Sequence, residues 1–146
     1  MYRRKLLKVA AVWSLLSALF VALAGCSTIA HYDQVAYEHA VDAKVDTLRL
    51  MSKATGSYAE HEKDIEAVTA ELDKAYEYDR GRGLNNVTVE QWDILRDPNR
   101  DLVGGFFKTW KTRGVLGATF VDEKKKQVAD AFDQIIQLEA GKKVSK

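Results

Sequence analysis

Cys26 is the only cysteine in 146 residues, and it stands directly after Leu23-Ala24-Gly25. A thiol can act as a nucleophile, bind a metal or carry a covalent group. The chain offers little to support the first two. A di-iron helical site needs glutamate three residues before histidine. The positions three before His31, His39 and His61 hold Thr28, Ala36 and Tyr58. No His-x-x-x-His pair is present for zinc. No Gly-x-Ser-x-Gly elbow presents a serine nucleophile. The acid pairs Asp42/Asp46 and Glu62/Glu66 have helical spacing and lysines nearby, so they read as solvated helix faces. A hydrolase would need one such acid in a cleft with a raised pKa. Arg80-Gly81-Arg82-Gly83 could cradle an anion with amides and guanidinium groups. It lacks the phosphate-loop pattern and reads as a helix stop followed by a connector. The expectation is no catalytic site, no metal and no cofactor.

What precedes Cys26 assigns it the third chemistry. Arg3, Arg4, Lys5 and Lys8 open the chain, and a charge-free apolar run extends from Val9 to Ala24. Charged start, apolar run and small residues at the end have the order of an export signal. The run is shorter than the ~20 residues that span a bilayer comfortably. Leu23-Ala24-Gly25-Cys26 resembles the lipobox of bacterial lipoproteins. That resemblance covers the leader only. It implies cleavage between Gly25 and Cys26, a diacylglycerol on the Cys26 sulfur and an acyl chain on the new amino group. Two or more chains hold a protein stably to a membrane. Ser27 follows, where aspartate would favour inner-membrane retention in this family. The resemblance therefore implies an outer-membrane protein facing the periplasm, with the periplasmic face of the inner membrane as the alternative.

Charge points the same way. Removing residues 1–25 removes four cations and no acid, so the +1 of the whole chain becomes −3. A mildly acidic exported body does not suit nucleic acid, which needs concentrated cations. The remaining 121 residues make one domain. The division expected is a signal peptide at 1–25, a lipidated tether at 26–29, a helical body at 30–141 and a basic tail at 142–146.

Three kinds of signal make that body all-α. Apolar stripes recur at three- and four-residue steps: Tyr37, Val41, Val45, Leu48, Met51; then Tyr58, Ile65, Val68, Leu72, Tyr76; then Val121, Val128, Phe132, Ile135, Leu138. Capping patterns stand at Ser57–Glu60 and Thr88–Gln91, and Asp97-Pro98 suits a helix start. Glycines at 56, 81, 83, 114, 117 and 141 separate the segments. Helices are expected at 30–54, 57–80, 89–96, 98–113 and 119–140. The short Thr55-Gly56 link makes the first two antiparallel, and the last helix can fill the groove between them. The fold class is a bundle of three long helices with a shorter helical insertion.

The insertion carries the candidate partner-binding surface. Val103, Phe106, Phe107 and Trp110 share one helical side, rimmed by Arg100, Lys108, Lys111 and Arg113. These aromatics suit either a groove for a partner or an inward-facing core stripe. Gly104-Gly105 lowers helix stability by about 1 kcal/mol per glycine relative to alanine, which suggests close backbone approach, a bend or a hinge.

The functional expectation is a membrane-anchored, non-enzymatic envelope lipoprotein presenting its bundle to a protein partner. In fold and anchor it is similar to the pilot lipoproteins of secretion systems, which bind an amphipathic segment of a secretin. Two alternatives stand beside it. One is an envelope enzyme or ligand binder with a cavity inside the bundle. The other is a peptidoglycan-associated structural lipoprotein, since a lipidated helical chain ending in Lys146 resembles the murein-linked lipoproteins. The chain lacks their uninterrupted heptads.

Overall fold

The computed structural model describes residues 29–144. The leader, the cleavage position and Cys26 lie outside the described residues. The described chain is all-α, a bundle of five helices. These are α1 (Gln34–Met51), α2 (Glu62–Arg80), α3 (Asn86–Arg96), α4 (Val103–Arg113) and α5 (Ala118–Ala140), with a 3-10 turn at Tyr58–His61 before α2.

Helix α1 packs on α2 and α5, and α3 packs on the same two. The four close a ring, so α3 takes the position beside α2 that the sequence reading gave to the last helix. Helix α4 lies across the end of the ring, against α3 and the 3-10 turn. Trp92 and Phe132 meet edge to face inside the ring, with centroids 6.0 Å apart.

The stripes of α2 and α5 are buried as expected: Ile65, Val68, Leu72 and Ala75 on one, Val121, Val128, Phe132 and Ile135 on the other. The stripe of α1 is displaced over most of its length; of its five expected residues only Met51 is buried. Ala36, Ala40, Ala43, Thr47 and Leu50 face inward, while Val45 is 47% exposed. Alanines let the neighbouring helices approach closely, and the ring aromatics fill the space that larger α1 side chains would occupy.

Several boundaries differ for physical reasons. Helix α1 starts at Gln34, because Asp33 caps it by accepting from the Ala36 amide at 3.0 Å. Thr88 lies inside α3 and is buried, so it is not the cap. Ser57 precedes only the 3-10 turn and makes no side-chain cap. Asp97 ends α3, and its carboxylate accepts from the Asn99 amide at 2.8 Å. Pro98 therefore sits in a turn, and α4 begins five residues later than expected.

Candidate functional site

The stripes of α2 and α5 run on into carboxylates. Asp79 follows Ala75 by four residues and Glu139 follows Ile135 by four; both are at most 2% exposed. A buried carboxylate requires partners, and the sequence supplies a cation three residues after each. Arg82 donates to Asp79 at 2.9 Å and to Glu139 at 3.0 Å. Lys142 donates to Glu139, and also to Asn85 Oδ1 at 2.6 Å and Thr88 Oγ1 at 3.2 Å. The Trp92 indole N–H and the Asn85 amide complete Asp79, at 2.7 and 2.8 Å.

This network gathers the start of α1, the end of α2, the start of α3 and the end of α5. It also holds the chain that enters α1. Glu139 accepts from the Asp33 amide at 2.8 Å, and Arg82 donates to the His31 carbonyl. Tyr78 donates to both Asp33 oxygens, at 3.0 and 3.1 Å. Backbone bonds add Ala30 N–H to Leu84 O and Tyr32 N–H to Lys143 O. Residues 30–33 are thus an extended strap tied to the bundle, rather than the first turn of a helix. The basic tail also differs from expectation: Lys142 is 5% exposed and belongs to the folded body.

The electrostatics follow from this geometry. Burial acts to raise the Glu139 pKa, but hydrogen bonds from Arg82, Lys142 and the Asp33 amide outweigh it and hold the pKa below its ordinary value. Asp33 behaves alike: burial opposes, and the Ala36 amide, Tyr78 and Arg82 prevail to lower it. Burial and the adjoining Asp33 raise the Tyr78 pKa. Arg82, whose side chain is 14% exposed, is committed to the protein's own carboxylates. The Gly-Arg loop is therefore not an open anion cradle.

Val103, Phe106, Phe107 and Trp110 are between 0 and 8% exposed. A partner groove lined by them is corrected to core. The reason is the glycine pair. A Cβ on Gly104 would overlap Arg96 O, and one on Gly105 would overlap Arg100 O. The bare helix lies flat on the 96–101 backbone and turns its aromatics inward. Phe106 stacks on Phe120, and the Trp110 N–H donates to Gly56 O at 3.1 Å. The surrounding Arg100, Lys108, Lys111 and Arg113 stay exposed.

The histidines do not converge. His31 is exposed beside Lys143 O, His39 packs edge-on to Tyr78, and His61 lies against Trp110. Among the described residues, no group of three His, Cys, Asp or Glu side chains is arranged to hold a metal. No helix among them is long and apolar enough to cross a membrane. Comparison with protein families, curated proteins and solved structures finds no match to this chain.

The two ends of the bundle thus have different characters. The strap, the Gly-Arg loop and the tail share one end. The 52–57 and 113–117 loops share the other, joined by Leu116 N–H to Ala54 O and Tyr58 N–H to Gly114 O. Helix α1, 18 residues long, separates them by about 27 Å.

Proposed function

We propose that this chain is a lipid-anchored bacterial envelope protein whose helical bundle is a non-enzymatic binding body. The anchor is Cys26, and the far end of the bundle is the face offered to a partner. The observation that carries this reading is the strap. Only two residues, Ser27 and Thr28, lie between Cys26 and Ile29, and the chain is hydrogen bonded to the bundle from Ala30 onward. An anchored Cys26 would hold the body close against the bilayer with its far end outward, rather than on a long leash.

The α4 side of the far end is cationic, while the 3-10 turn and the start of α2 beside it expose Glu60, Glu62, Asp64 and Glu66. Between Asp97 and Lys126 seven cations face four acids, a balance of +3 in a mature chain of −3. Arg100, Lys108, Lys111 and Arg113 are exposed there. An acidic surface on an envelope protein is the complement, and steering by such charges favours productive encounter.

Replacing Cys26 by Ser is expected to leave the bundle helical by circular dichroism while the protein leaves the membrane fraction. A variant that stays in the membrane pellet counts against the lipid anchor. A photo-crosslinker at Thr112 should capture an envelope protein in intact cells. The charge reversals Lys108→Glu and Lys111→Glu should reduce that capture about tenfold, as loss of about 1.4 kcal/mol does. Unchanged capture would exclude the cationic α4 side as the contact face.

A further inference from the structure

Five of the eight large apolar side chains that are exposed among the described residues lie at the strap end: Ile29, Val35, Leu84, Val87 and Val144. Leu84 is 58% exposed, Val87 56% and Val144 72%. Ile29, Leu84 and Val87 line one open cleft of about 360 Å³. Soluble surfaces scatter such residues singly; a cluster marks a contact.

The backbone holds this cluster outward. Leu84 has φ of +62°, a left-handed conformation that suits glycine or asparagine. Gly83 and Asn85 flank it, yet the strained position carries a leucine directed into solvent. Its carbonyl is fixed by the Ala30 amide, and Asn85 beneath it is locked to Asp79 and Lys142. Three carboxylates of this end, Asp33, Asp79 and Glu139, are turned inward and hydrogen bonded, while Glu38, Glu77 and Glu90 stay exposed a turn further along their helices. Lys143 remains exposed beside the apolar cluster.

We propose that this end is a membrane-docking face, seating Ile29, Leu84, Val87 and Val144 at the headgroup–acyl boundary of the bilayer that holds Cys26. The inference rests on the lipid-anchor reading above and adds an orientation to it. The length of chain outside the described residues selects the occupant. Three residue steps from Cys26 to Ile29 reach at most about 11 Å, so an anchored cysteine brings this cluster to the bilayer and leaves little room for another partner. Apolar side chains beside a lysine suit an anionic bilayer surface. Three inward carboxylates, and the pairing of Glu77 with Arg80, reduce the charge that would repel it.

The test uses the full lipidated chain, purified from membranes and reconstituted into vesicles of phosphatidylethanolamine and phosphatidylglycerol. With Cys26 acylated, one added cysteine is the only free thiol. An environment-sensitive dye goes on Asn86→Cys at the strap end, or on Val115→Cys at the far end. Nitroxide-bearing lipids should quench the dye at 86 at least about twofold more than at 115, since the face enters the boundary by only a few ångströms. Adding Leu84→Asp and Val87→Asp should abolish that difference while the protein still floats with the vesicles and stays helical. If the chain floats and the two positions are quenched alike, or the aspartates change nothing, the docking face is overturned and the anchor stands. A protein-binding role for the cluster would give that same unquenched result. If the chain neither floats nor carries lipid on Cys26, the anchor reading falls and takes the docking face with it.

Discussion

Glu139→Ala is expected to lower the stability of the bundle by about 3–5 kcal/mol, because removing one partner of a buried ion pair leaves the others unsatisfied. Here Arg82 and Lys142 both lose their common carboxylate, and the Asp33 amide loses its acceptor. Chemical denaturation with two probes measures it, global helicity and the proteolytic release of the strap. Glu139→Gln keeps an acceptor but loses the charge, so it should fall between the two.

The same groups set an acid limit. Glu139 and Asp33 have pKa values below their ordinary 4.5 and 3.8. Their stabilisation is complete above those ordinary values. It is lost as pH falls through the depressed ones, because folding then requires giving up a proton the unfolded chain retains. Stability should therefore be level between about pH 5 and 7 and decline below about pH 4. Part of that decline should be missing from Glu139→Gln. A variant with wild-type stability would show that the network is solvated rather than sealed.

Gly105→Ala should cost about 3 kcal/mol, at the upper end of overpacking, because the added methyl meets backbone that cannot rotate away. The contact is with Arg100 O, and at Gly104 with Arg96 O and Asp97 C. For a domain of this size that is a fall in Tm of about 10 °C. Gly83→Ala is the control. Nothing lies within 4 Å of its Cβ position, so a change within about 0.5 kcal/mol is expected. Near-equal effects would mean that α4 does not lie flat on the 96–101 turn.

The long helices were legible because their buried faces repeat aliphatic residues at helical steps, as Ile65, Val68 and Leu72 do. The α1 face was not, since most of its inward residues are small, Ala36, Ala40, Ala43 and Thr47, and the apolar pattern follows Tyr37, Val41 and Val45. The Phe106–Trp110 stripe was visible, but its direction was not. That direction depends on α4 lying against the 96–101 backbone, a tertiary contact that the Gly104-Gly105 pair only hints at. The buried ion network at the strap end leaves a readable trace in the sequence. Asp79 and Glu139 continue two apolar stripes, and each has a cation three residues later. A carboxylate in a core position with a cation one turn on is the signature of an internal ion pair. Its four-element convergence depends on which helix ends meet, so the sequence did not reveal the strap or the buried Lys142.

The account depends most on the fate of Cys26, and intact-mass analysis of the mature protein taken from membranes tests it directly. The expected species begins at Cys26, lacks residues 1–25 and carries diacylglycerol and an additional acyl chain on that residue. A species that retains Met1–Gly25 with an unmodified cysteine would contradict the anchor, and with it both the presented far end and the docked strap end.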